Sequence, residues 1–526
     1  MSVRPLGVAP AARSLTILAV LAVLALAAGG YGLSRADAGL TTRQVTVDGV
    51  PLTEVWAGPA TGRRPGVVIA HGFAGSARLM RPLADTVARQ GAVALSLDFA
   101  GHGGNPAPLS GAGGDDTDSR ATLEHDLEVA VGHLRNRPDV DPTRIVLVGH
   151  SMGAGAVTRY AAGHPDIART VAISLPDGGD LPEGRLERLL LIVGGLEFPA
   201  FRDTAEVASR RGVGRRLVVV PGVEHISVLF AGRTHAEVAG WVGGGGDAPP
   251  RPAARLVPAG LLLLGFGLGF VPLAALLLGR RVGSSPGPRP RAGRPVAPIP
   301  VVLVVAASAT GLGVLAGTVP PTTRLPLAVG GYLTGFLLVT GGLLAAARRW
   351  PLAWITASVP ATASVPPTAS VPDAGTVPVA EPLGHRAPAR SVVAALLLTG
   401  YAVAAVAVPI HLGLTSAVPV GARWWLLPLV AAGCLAFLTG AELVTNGRSW
   451  RYAAVGALVV PALAGAAVVG LAPGFVLLVV PLFAVLLGWQ AAWAVVLRRA
   501  GAPRWSPALV GAVLLAWPVA TALPLT

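Results

Sequence analysis

The sequence predicts two unlike halves: an α/β domain on a mostly parallel sheet with helices on both faces, followed by an all-α polytopic membrane domain. Three observations carry this. Hydrophobic residues make up 52% of the 526 and charged residues only 13%, too apolar for an ordinary soluble chain. Charge is unevenly spread: up to residue 250 there are 23 Arg against 24 Asp plus Glu, and beyond it 18 Arg against 3, so the net +14 is −1 plus +15. Finally, short apolar runs alternate with helix-length segments over residues 40–245, whereas uninterrupted apolar runs of about 20 residues recur from 256 to 526.

Residues 14–33, SLTILAVLAVLALAAGGYGL, stand behind Arg4 and Arg13 and fit a signal peptide or an uncleaved signal anchor. The A-x-A stretch at Ala36 to Ala38 lies well beyond the apolar core, which favours an anchor over residues 1–33. QVTVDGVPLTEVWAG (44–58) reads as a hairpin turned at Asp48 and Gly49. Then come strand GVVIAHGF, helix 77–89, strand AVALSLDFA, helix 121–136, strand RIVLVGH, helix 152–164, strands TVAISL and RLLLIVGG, helix 201–211, strand RRLVVVPGV and a helix over 227–242. Apolar strands separated by helices are buried on both faces, as in a parallel sheet.

Eight further spans are predicted at about 256–279, 297–317, 326–347, 392–413, 424–446, 453–471, 475–497 and 507–525. With the N-terminus inside, fourteen arginines of this half fall in cytoplasmic connections, leaving Arg251, Arg255, Arg324 and Arg423 outside. Nine spans result, with the α/β domain and the C-terminus extracytoplasmic. This arginine pattern encodes topology, so the pI near 11.3 does not indicate nucleic-acid binding. The loop at 350–391 repeats TASVP three times and has the composition of a disordered linker. Cys434 stands alone in an apolar run, which excludes an internal disulfide. Glu442 is the only acidic residue of the spans, a candidate relay or an interfacial carboxylate.

The chemistry centres on GHSMG, 149–153. A bare G-x-S-x-G would arise by chance roughly 0.3 times in so glycine-rich a chain, so its context decides. Ser151 stands where a strand must turn into a helix; Gly149 and Gly153 leave room for that turn, which exposes the hydroxyl at the sheet edge. A serine needs a base, and the base an orienting acid. His225 follows the last strand and Glu197 the one before it, with Asp203 six residues on as the competing acid. HGF at 71–73 ends the first parallel strand, where the N–H of Phe73 joins that of Met152 as an oxyanion hole.

HGF, LDFAGHG (97–103), GHSMG and GVEH (222–225) together resemble the α/β-hydrolase superfamily in sequence and spacing, over about 200 residues. Within it the chain is similar to small cap-poor hydrolases of the dienelactone-hydrolase and serine-aminopeptidase type. The short stretch between Leu175 and Leu189 implies an open site. The usual acid at the position of Glu197 is Asp, the one departure from the pattern.

His71, His102 and His150 read as structural residues around strand ends, and His125, His133, His164 and His235 as helix-surface residues. GGDDTDS (113–119) reads as a solvated loop and helix cap rather than a calcium site. The expectation is a membrane-embedded serine hydrolase cleaving an ester, thioester or amide, without cofactor or metal, on a small-molecule, lipid or acylated envelope substrate. An acyltransferase using the same acyl-serine, or a sensor or transport-coupled protein with a hydrolase-fold binding domain, stands as the alternative.

Overall fold

The structure is a computed structural model that describes residues 10–59, 62–110, 117–177, 181, 186–243, 248–279, 298–319, 321–349 and 389–526. The TASVP loop, Asp115 and Asp116 lie outside the described residues. An apolar helix, α1 (Pro10–Asp37), leads into the hairpin β1 (Leu40–Val47) and β2 (Val50–Ala57), with Asp48 and Gly49 at positive φ in the turn. There follow β3 (Arg64–Ala70), α2 (Arg81–Arg89), β4 (Val93–Leu97), α3 (Thr117–Arg135), β5 (Val140–His150), α4 (Met152–Gly163), β6 (Arg169–Ile173), β7 (Leu189–Gly194), α5 (Pro199–Arg210), β8 (Arg216–Val220) and α6 (Gly232–Val242).

The eight strands form one sheet in the order β1-β2-β4-β3-β5-β6-β7-β8, antiparallel at the two β2 pairings and parallel from β4 to β8. Every residue of β3, β4 and β7 is buried, as expected of runs with no alternation. The chain passes from β3 to β4 on one side, then crosses to β5 on the other. That reversal opens a crevice at the carboxyl ends of β3 and β5, the usual place for a ligand in such a sheet.

The helix expected over 77–89 starts only at Arg81, with Pro82 in its first turn, because the preceding residues are tied elsewhere: the Ala77 N–H donates to Asp98 Oδ1 at 2.7 Å. The last helix is also divided, into a 3-10 turn (Ser227–Phe230) and α6. Its His235, expected on the surface, is fully buried: Nε2–H donates to the Leu229 carbonyl at 2.8 Å and Nδ1 accepts from Thr86 Oγ–H at 2.7 Å.

The second half is helical: α7 (Leu256–Leu278), α8 (Ile299–Ala316), α9 (Gly330–Arg349), α10 (Ala389–Gly413), α11 (Arg423–Thr445), α12 (Ser449–Val468), α13 (Val476–Arg499) and α14 (Ser506–Ala522). Counting α1, eight described helices are long and apolar enough to cross a membrane, one fewer than the nine spans expected, and the chain is a multi-pass membrane protein. The shortfall is α14, whose 17 residues span about 26 Å against a hydrocarbon core of about 30 Å. Pro524 disfavours helix at Leu523, which is extended (φ −72, ψ 144), and the tail runs on toward the α/β domain. α1 packs along α7, where Gly29 and Gly32 leave room for Leu262 and Pro258, so small residues set a close approach. Glu442 is held in an ion pair by Arg498, which makes it part of an inter-helix clamp.

Candidate active site

At the β5–α4 junction Ser151 adopts φ 53 and ψ −120, a conformation costly for a residue with a Cβ. Both flanking glycines are required by contact. A Cβ on Gly149 would lie 2.3 Å from the Gly153 carbonyl oxygen, and one on Gly153 would lie 2.5 Å from that of His71. The turn therefore closes only with glycine at both positions, and it sets Ser151 at the crevice beside the loop that follows β3.

The structure brings Ser151, His225 and Glu197 together in one hydrogen-bonded line. Ser151 Oγ lies 3.0 Å from His225 Nε2, and His225 Nδ1 lies 3.1 Å from Glu197 Oε2. Glu197 Oε1 accepts from the Gly194 N–H at 2.7 Å and from Ser174 Oγ–H at 2.6 Å. His225 and Glu197 are both buried. A carboxylate on Nδ1 holds the proton there, leaving Nε2 to accept from the serine hydroxyl. Asp203 is not part of this line; it is exposed on α5. The neighbouring loops reinforce one another, since the Leu196 N–H donates to the Val223 carbonyl at 2.9 Å.

The histidines expected to be structural knit the loops around this line. His150 Nε2–H donates to the carbonyl of His225 at 2.9 Å, and burial pushes its pKa down to about 3, so it remains a neutral strut. His71 Nδ1–H donates to the Gly72 carbonyl at 2.8 Å while its Nε2 accepts from the Phe99 N–H at 3.2 Å, tying the β3 loop to the β4 loop. Burial also lowers the pKa of His71 and, further, of His102. Gly72 lies directly against Ser151, where a Cβ would come within 3.0 Å of the serine's own. Phe73 and Met152 are the next residues in the chain after Gly72 and Ser151.

Two sets of residues around the site carried no local signal in the sequence. One is Ser174, which holds Glu197 from the end of β6. The other comes from the membrane half, whose helix ends meet the loops after β3 and β4. The Phe73 ring stacks on Phe475 with centroids 4.0 Å apart, and Ser76 Oγ lies 2.8 Å from Thr415 Oγ1 and accepts from the Ser416 N–H at 3.2 Å. Arg423, fully buried at the head of α11, donates to the Gly101 carbonyl at 2.6 Å, and Leu525 pairs its backbone with Gly101 and Leu109. Arg255 joins Asp85 and Asp37 at 2.7 and 2.5 Å. The site expected to stand open is thus covered by the helix bundle on its β3 and β4 side.

Residues 62–189 match the family model described as serine aminopeptidase, S33. An uncharacterized protein of Mycobacterium tuberculosis is 33% identical over 207 residues, 34% of this chain and 70% of that one. The chain belongs to the α/β-hydrolase superfamily. A monoacylglycerol lipase of Mycolicibacterium smegmatis is 31% identical over 242 residues, covering 45% of this hydrolase and 82% of the lipase. Among solved structures, a dienelactone hydrolase from Anabaena variabilis is similar at 21% identity and a TM-score of 0.31, over 39% of this hydrolase and 97% of that chain. Ser151 falls inside the family match, while Glu197 and His225 lie beyond its end.

Proposed function

We propose that this chain is a membrane-embedded serine hydrolase acting through an acyl-serine intermediate. The observation that carries the reading is the Ser151–His225–Glu197 line, 3.0 and 3.1 Å, set beside the strained elbow. Ser151 Oγ attacks a carbonyl carbon while its proton passes to His225 Nε2, and Glu197 stabilises the imidazolium. The N–H groups of Phe73 and Met152 receive the oxyanion. Collapse of the tetrahedral intermediate returns the proton to the leaving group, and water, deprotonated by the same imidazole, releases the acid.

The likeness to a monoacylglycerol lipase supports a fatty-acyl ester as substrate. The location of the domain rests on the arginines. The α/β domain sits on the face bearing the end of α1, the start of α7 and the heads of α11 and α13; Arg390, Arg448, Arg451, Arg498, Arg499 and Arg504 belong to the other ends. The positive-inside rule then makes the hydrolase face extracytoplasmic.

One experiment tests nucleophile and location together. A charged, membrane-impermeant fluorophosphonate applied to intact cells expressing the full chain should label it, and Ser151→Ala should abolish labelling. Labelling only after permeabilisation would overturn the location. A folded full chain that never labels would overturn the nucleophile.

A further inference from the structure

The loops that hold the acid and the base each turn one polar residue inward and show apolar residues outward. Leu196 and Phe198 flank Glu197 and are 67% and 57% exposed, and Ile226, next to His225, is 38% exposed. Single exposed apolar residues are ordinary on a protein surface. These three differ in where they stand. All follow the carboxyl ends of β7 and β8, so they lie on the same sheet edge as the loops after β3 and β4, which rest on the bundle's helix ends.

The helices α1 and α7 to α13 fix where the bilayer must lie. Their ends at Phe475, Thr415 and Arg423 mark its surface on the hydrolase side. β7 stands three strands from β3, and β8 four, which at ~4.8 Å per strand is an offset of roughly 14 and 19 Å along the sheet. Among the described residues no helix of the bundle covers the three side chains at that offset, since all are exposed. What extends sideways from a bundle at the level of its helix ends is lipid. The charged residue at the tip, Glu224, turns its carboxylate back onto the N–H groups of Ile226 and Ser227 at 2.9 and 2.7 Å.

The geometry points to a membrane-contact surface formed by Leu196, Phe198 and Ile226, which dips into the adjacent leaflet and lets an acyl-bearing lipid reach Ser151 sideways from the bilayer. The route deepens the proposed function and rests on it; the contact surface does not. An apolar side chain at the headgroup boundary gains burial that water denies it. The acyl chain of a substrate would then pass along the same three residues, on the side of the serine away from Phe475.

The test uses the full chain in phosphatidylcholine nanodiscs. Cys434, the one cysteine, is buried in α11, so Phe198→Cys and Ile226→Cys each provide a single accessible thiol for an environment-sensitive fluorophore. The control is Val213→Cys, 87% exposed and ahead of β8, at the opposite sheet edge. Nitroxide-bearing lipids should quench the labels at 198 and 226 severalfold more than that at 213; equal quenching at all three would overturn the surface. For the route, L196S/F198S/I226S should lower the rate on a bilayer-resident long-chain ester relative to that on a soluble short-chain ester more than tenfold. An unchanged ratio would overturn the route. Selective quenching in a chain that turns over neither ester would uphold the surface and overturn the hydrolase reading instead.

Discussion

Replacing Glu197 by Gln changes one atom and, through the surrounding bonds, the state of the imidazole. Oε1 accepts from the Gly194 N–H and from Ser174, and Oε2 faces His225 Nδ1 at 3.1 Å. A backbone N–H can only donate, so the glutamine must keep its oxygen at the Oε1 position, which places its NH2 group against Nδ1. The amide then donates to Nδ1, the ring proton moves to Nε2, and Nε2 can no longer accept from Ser151. Turning the amide over would set two donors face to face in a buried place, at a cost of about 1–3 kcal/mol. Together with the lost charge opposite the imidazolium, the expected fall in kcat is on the order of 10⁴, about 5.5 kcal/mol of barrier. The assay is hydrolysis of a chromogenic short-chain ester by the full chain in micelles, with a melting curve to show that the fold survives. Asp203→Asn, on the exposed face of α5, should stay within about twofold of wild type. A crippled Asp203→Asn beside a near-normal Glu197→Gln would refute the assignment and leave Ser151 and His225 in place.

Phe475→Ala should lower kcat about tenfold with little change in KM, since an aromatic pair worth about 0.5–1.5 kcal/mol no longer steadies the Phe73 loop; Phe475→Trp should recover most of the loss, and an unchanged kcat would show that the bundle does not position this loop. Stability should fall as pH drops from about 6.5 toward 4. Burial lowers the pKa of His235 to about 4 and of His150 to about 3, so in that window the unfolded chain binds protons that the folded chain refuses. Asp126, whose burial raises its pKa to about 6, acts with the opposite sign, giving stability at low pH that is lost as pH rises through 6. Comparing melting temperatures of wild type and His235→Gln from pH 7.5 to 4.5 isolates the histidine: the variant should show the shallower decline, and equal slopes would contradict it.

The features legible in the residues alone are local or periodic. Near-continuous apolar runs marked β3, β4 and β7, because a strand buried on both faces has no solvent side on which polar residues would alternate. Glycines two residues either side of Ser151 announced the elbow, because any Cβ there collides with backbone. The order of Ser151, Glu197 and His225 followed from one rule, that loops at the carboxyl ends of parallel strands share an edge. Only in three dimensions does Glu197, and not Asp203, stand against His225 Nδ1, since both follow β7 and the direction of each side chain separates them. Tertiary structure likewise decided that His235 is interior, where Thr86 from a distant helix receives it, and that α14 ends short, with its tail on Gly101. The same holds for the cover over the site: Phe73 and Phe475 are 402 residues apart in the chain. A contact between distant segments leaves no periodicity in either one, because it depends on how two separately formed surfaces dock and not on the residues next in line.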